Sequence, residues 1–260
     1  MMIKLNNYSY AIALMIFVSM AFVSCQQNEE LSSLTEETSR QQNAANFDFD
    51  QFGITHNAYL DYVRQIPNAN DPKARYLHGK TFVSPVFGSF NNNISWEEMS
   101  GSFPDHIARV EAISRGTYRA ESEGLSPEMT DFLNRLAALS KTALDNQLSV
   151  GQFQHKIGQL EADVKRHQAI IIDLAAGTSN DGATMLAICS ILRYSLDYWE
   201  NAYNTQKAAR PGFGQRVKRA LADAWGYISD WQPIGDGYYS WSHESALVNT
   251  DCVSDGVYEN

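Results

Sequence analysis

Three groupings of side chains carry residue types that bind or react. The first is aromatic. Four of the five tryptophans, Trp199, Trp225, Trp231 and Trp241, follow residue 195, and they are joined by Tyr194, Tyr198, Tyr203, Tyr227, Tyr238 and Tyr239. Aromatic rings stack on the apolar faces of sugars, and nearby carboxylates, here Asp230, Asp236 and Glu244, accept hydrogen bonds from hydroxyls. Rings on a helical stripe are used to fill a core instead, and Trp199 and Trp231 lie on such stripes. Tyr238, Tyr239 and Trp241, around Gly235 and Gly237, belong to no stripe and are the candidate ligand or glycan contacts. The second grouping is His155, Asp163 and His167. Asp163 and His167 are four apart, hence on one helix face, with His155 two turns before Asp163. Zinc accepts these ligand types if another helix adds a fourth. The competing reading, which is preferred, is a solvated helix flank with His167 near a C-terminus that favours its cation. No metal or other cofactor is therefore expected. The third is His56 and Asn57. With Thr55 as an N-cap they fall in the first turn of a helix, where they bind backbone groups or a small anion.

Several sharper signatures fail on a single residue. His243-Glu244 opens like a zinc-protease helix, but Leu247 stands where the second histidine must be. No Glu-x-x-His occurs, which removes the di-iron carboxylate site of helical bundles. Gly177-Thr178-Ser179-Asn180-Asp181 lacks the second glycine of a nucleophile elbow. The stretch from Asn46 resembles the start of a calcium loop but has Gln51 and Asn57 at its sixth and twelfth positions instead of Gly and Glu. No phosphate loop or dinucleotide fingerprint is present. Paired carboxylates leave no local signature, so a carboxylate-dependent hydrolase stays open behind the preferred reading, a non-enzymatic binding protein.

The elements that must position these residues are mostly helical. Ser126-Pro127-Glu128 combines an N-cap, a proline at the first helical position and an acid in the first turn. Met129, Phe132, Leu133, Leu136, Leu139 and Ala143 then recur at the spacing of one buried face. Ser149 caps a second stripe through Phe153, Ile157, Leu160 and Val164. A third runs over about 180–206 through Met185, Cys189, Leu192, Leu196, Trp199 and Tyr203, and a fourth over about 214–231 through Val217, Leu221, Ala224, Ile228 and Trp231. Earlier, Thr55 to Ile66 reads as a helix, and Ser95 to Arg115 as one or two helices interrupted near Pro104. Between them the breakers Pro67, Pro72, Gly79, Pro85 and Gly88 predict loop, with a weak hairpin at Thr81–Val83 and Val86–Phe87. The expected fold is all-α, an antiparallel helical bundle with an irregular, loop-rich insertion near residues 67–94. Cys189 and Cys252 are compatible with either a disulfide or two separate thiols, since spacing does not fix geometry.

The N-terminus reads as an address. Lys4 is the only charge before an apolar run, Tyr10 to Val23, that ends in Ser24-Cys25, the pattern of a secretory signal. Phe22-Val23-Ser24-Cys25 resembles a bacterial lipobox, and that resemblance implies lipidation of Cys25 and cleavage before it. The acidic run that follows, to Glu29-Glu30, resembles the export signal of surface lipoproteins of the Bacteroidota. The expected organisation is a signal peptide at 1–24, an acylated cysteine and flexible linker at 25–45, and one helical domain at 46–260. The expected location is the outer membrane, with the chain held to it by acyl chains and facing a protein or glycan partner. A net charge of −10 and a pI near 5.0 exclude nucleic acid as a partner. Gly53-x-x-His56-Asn57-x-x-Leu60-Asp61-Tyr62, Ser195-Leu196-Asp197-Tyr198-Trp199 and Ala222-Asp223-Ala224-Trp225-Gly226 resemble recurring blocks of uncharacterised helical lipoproteins of that group. The resemblance brings no activity with it, and Trp225 stands where those blocks carry small residues.

Overall fold

A computed structural model describes residues 47–89, 95–145, 147–174, 176–205, 212–228, 232–235 and 237–240. The candidates Cys25, Cys252, Trp231, Trp241, Asp230, Asp236 and Glu244 lie outside the described residues. Seven helices are described. The first is α1 (Asp50–Arg64), followed by α2 (Pro72–Gly79) and a two-stranded hairpin of β1 (Val83–Ser84) and β2 (Gly88–Ser89). Next come α3 (Trp96–Arg115), a 3-10 turn at Ala120–Glu123, α4 (Pro127–Leu144) and α5 (Val150–His167). Strands β3 (Ile172–Asp173) and β4 (Thr178–Asn180) precede α6 (Asp181–Thr205) and α7 (Phe213–Ile228). The described part closes with β5 (Gln232–Gly235) and β6 (Tyr238–Ser240).

Capping residues set several of the helix starts. Ser126 Oγ accepts from the Met129 amide at 3.0 Å, with Pro127 beside it, and opens α4 as its sequence indicates. Ser95 and Ser149 each form a reciprocal capping box, with Glu98 and Gln152. Asp71 accepts from the Lys73 amide at 2.9 Å and starts α2. This helix falls in the stretch read as loop, and its signal was the Asp71-Pro72 pair.

The central element is α6, which packs against α1, α5 and α7, while α3 and α4 pack on α7. Every residue from Asp181 to Leu192 is buried, so this part of α6 is covered all round. Gly182 is forced by that packing, because a Cβ there would collide with the Ala169 carbonyl. α7 is likewise buried at every residue from Arg219 to Tyr227, whereas α5 buries a single stripe, Phe153, Ile157, Leu160 and Val164.

The fold is therefore mostly helical, but it is not purely all-α. β3, β4, β6 and β5 form an antiparallel sheet in that order, with Ser179 opposite Tyr239. These strands are two to four residues long, too short to show alternation in sequence. Three boundaries also differ from expectation. α1 starts at Asp50, where Asp48 Oδ1 accepts from the Asp50 amide, so Thr55, His56 and Asn57 lie inside the helix and not at its N-terminus. α3 runs unbroken through Pro104, which is exposed and has no N–H to donate to the Ser100 carbonyl. α7 stops at Ile228, and the chain is already in β5 at Gln232.

Candidate functional site

Two polar clusters stand out, one closed and one open. In the closed one, α1, α6 and α7 bring His56, Ser195, Trp199 and Asp223 together. Asp223 Oδ2 accepts from the Ser195 hydroxyl and, at 2.8 Å, from the Trp199 indole N–H. His56 Nε2 lies 3.6 Å from the same oxygen, and both side chains are fully buried. His56 Nδ1 and Asn57 Oδ1 are 2.9 Å apart, and Asn57 Nδ2 donates to the Tyr194 carbonyl at 2.9 Å. The Arg64 and Arg219 guanidiniums stand 4.4 and 4.2 Å from the centre of a Trp199 ring. Tyr198 Oη donates to Asp61 at 3.0 Å, and Gly53 lies so near Tyr194 that a Cβ would sit 2.5 Å from its ring.

The three blocks singled out by their resemblance thus meet in one place. A serine, a histidine and an aspartate invite comparison with a hydrolase, but the order is wrong. A nucleophile needs the histidine between serine and carboxylate, whereas Ser195 here donates to the carboxylate itself. All three are also shut off from solvent. His56 and Asn57 therefore belong to a structural knot and do not form an anion site at a helix end.

The open cluster is a cleft of about 410 Å³ between the start of α4, the start of α6 and the β5–β6 turn. Ser126, Glu128, Asp181, Gly237, Tyr238 and Tyr239 line it. β6 places its two tyrosines on opposite faces, as a strand must. Tyr238 is 37 % exposed, while Tyr239 is buried and donates to Asp181 Oδ1 at 2.7 Å. The Asp181 amide donates to the Gly237 carbonyl at 2.9 Å, which ties the turn to the helix start. Gly237 has φ +73°, and a Cβ on it would sit 2.6 Å from Asp181 Oδ2.

The electrostatics of this cleft are one-sided. Burial holds the Asp181 carboxyl above the usual range, hydrogen bonds from Tyr239 and Ser126 oppose that rise, and the Glu128 charge adds to it. Burial and the Asp181 charge push the Tyr239 phenol well up. Among the described residues no Lys or Arg lines the cleft. Neither residue type occurs anywhere in 120–134, 168–192 or 220–260 of the sequence.

Of the aromatic candidates, Tyr238 and Tyr239 are thus at the cleft, with only Tyr238 open to it. Asp181 and Glu128 were not expected there. Asp181 is separated from Tyr239 by 58 residues in sequence, and no local pattern announces such a pairing. The histidine–aspartate set on α5 does not converge. Asp163 accepts from Arg135 at 2.7 Å and meets His167 at 3.2 Å, while His155 lies beside Gln159. Among the described residues no three metal-ligating side chains form a site. Cys189 is a free thiol, fully buried, with its pKa pushed up by burial.

No protein-family model, curated protein or solved structure matches the chain. Among the described residues, no helix is long and apolar enough to cross a membrane.

Proposed function

We propose that this chain is a lipid-anchored binding protein of the bacterial outer membrane, held by Cys25, whose cleft takes a hydroxyl-rich ligand, a neutral or amino sugar. The observation that carries the ligand class is the exposed Tyr238 at an acidic cleft that no Lys or Arg lines among the described residues. An open ring stacks on a sugar face, Glu128 accepts from hydroxyls, and the uncompensated negative charge repels phosphorylated and acidic sugars. The scaffold reading that accompanies it is an antiparallel bundle, consistent with the short connection between α4 and α5.

A hydrolase reading has less support. Its natural acid, Asp181, is only 8 % exposed and has Tyr239 on one oxygen and the Gly237 backbone against the other. A general acid must reach the bond it protonates, and Asp181 instead props up Tyr239.

Calorimetric titration with neutral glucan, mannan and chitosan oligosaccharides, against polygalacturonate, tests the ligand class. At least one neutral or amino oligosaccharide should bind, polygalacturonate should not, and Tyr238→Ala should weaken binding about tenfold, or ~1.4 kcal/mol. Preferential binding of polygalacturonate would reject it. The anchor is tested separately: Cys25→Ala should move the protein out of the membrane fraction or leave it unprocessed.

A further inference from the structure

The apolar side chains left in water are unevenly placed. Of the seven large hydrophobic residues exposed among those described, Ile54, Leu77, Val83 and Val86 come from α1, α2 and the β1–β2 hairpin. Val83 is 62 % exposed and Leu77 56 %. The same stretch differs in charge from the rest of an acidic chain. From Pro72 through Trp96 there is no Asp or Glu, while Lys73, Arg75, His78 and Lys80 fall within it. The described domain begins beside this hairpin. Phe47, the first described residue, lies against Phe87 of the hairpin, with ring centres 6.3 Å apart.

We propose that the tip of the β1–β2 hairpin, with Val83 and Val86, together with Leu77 of α2, docks into the surface of the lipid bilayer that carries the anchor. The inference rests on the lipid-anchor reading of Cys25. On that reading 21 residues separate Cys25 from Phe47, and a flexible chain of that length would span roughly 25 Å root-mean-square. Such a linker keeps the domain at an effective concentration on the order of millimolar at the bilayer, so even a small apolar tip suffices for docking. Valine and leucine side chains gain by leaving water for the acyl boundary, and a stretch free of carboxylates is not repelled by lipid phosphates. The acidic cleft lies elsewhere on the chain, built by α4, α6 and β6, and does not share these residues.

The test uses the full acylated chain carrying Val86→Trp, reconstituted in vesicles of phosphatidylethanolamine and phosphatidylglycerol with brominated acyl chains. Docking should lower the fluorescence of the added tryptophan about twofold, because lipid bromines quench only what reaches them. Adding Leu77→Asp and Val83→Asp should remove that quenching while the protein still floats with the vesicles and melts cooperatively. Flotation without quenching of the Val86→Trp protein would overturn the docking and leave the anchor intact. Loss of flotation would overturn the anchor and the docking with it. A blue shift that grows with protein density, without quenching, would overturn the docking in favour of a second copy of the chain on this surface.

Discussion

Asp223 and Asp181 each accept a hydrogen bond from an aromatic side chain, one from the Trp199 indole at 2.8 Å and the other from the Tyr239 hydroxyl at 2.7 Å. Their surroundings differ in two respects. Asp223 is fully buried, with Ser195 on the same oxygen, His56 nearby, and two arginines over the Trp199 ring. Asp181 sits at the wall of a cleft that it lines together with Glu128 and the exposed Tyr238, and among the described residues no Lys or Arg lines that cleft. The same residue types therefore bind the fold together where protein encloses them on all sides, and stand beside open space where it does not. Burial of a charge is tolerated only when it is paired and hydrogen-bonded; in the knot Asp223 Oδ2 carries that pairing, while Asp223 Oδ1 and His56 Nε2 have no hydrogen-bond partner.

The largest effect should come from the knot. Asp223→Ala removes the acceptor for Ser195 and Trp199 and leaves His56 buried without its carboxylate, so urea denaturation should show a loss of about 3–5 kcal/mol. A loss below about 1 kcal/mol would mean the knot is dispensable and erase the contrast. Gly53→Ala follows, at about 1–3 kcal/mol from overpacking against Tyr194, read by thermal melting; a Tyr194→Ala background should relieve it. Tyr239→Phe at the cleft should cost about 1–2 kcal/mol, the worth of one hydrogen bond to a carboxyl group.

A smaller effect depends on pH. The folded state holds the Asp181 proton more tightly than the unfolded chain does. Its contribution therefore favours folding below 3.8 and is lost as pH rises through the raised folded value. Asp181→Asn keeps the acceptor for Tyr239 and should flatten this decline in denaturation curves taken across that window. Equal slopes in both proteins would show that Asp181 is not the strained group. The smallest stability effect belongs to Tyr238→Ala, within about 0.5 kcal/mol, while its effect on sugar titration is the largest of the set. If Tyr238→Ala destabilised as much as Tyr239→Phe, the open wall would be core and the cleft would resemble the knot.

The helices were legible because their signals are local. Ser126-Pro127 and the stripe from Met129 to Ala143 specify α4 within 18 residues. The position of the knot was also marked, since His56, Ser195 and Asp223 each lie in one of three short recognisable blocks. Its role was not, because burial is a property of the assembled fold: His56 on an isolated helix looks as available as any exposed histidine. The sheet was hidden for a related reason. β4 and β6 are three residues each and gain their stability by pairing across about 60 residues, which no window on the sequence contains. Tyr238 and Tyr239 stood out as aromatics outside any stripe, but only strand pairing decides which ring faces Asp181.

The Gly53 amide donates to Ser190 Oγ across 137 residues, and the knot joins the same α1 to α7, further along still. The first helix of the domain meets α2 and the hairpin early, with Tyr62 on Thr81 and Tyr59 against Phe82, but its face toward α6 and α7 has no partner until almost all the rest has been synthesised. Contacts this distant make folding slow, because the intervening loop must close before any of them forms. For a chain expected to cross a membrane before it folds, such delay is useful: the face of α1 that meets α6 and α7 stays open, and the structure closes only once its last third has arrived.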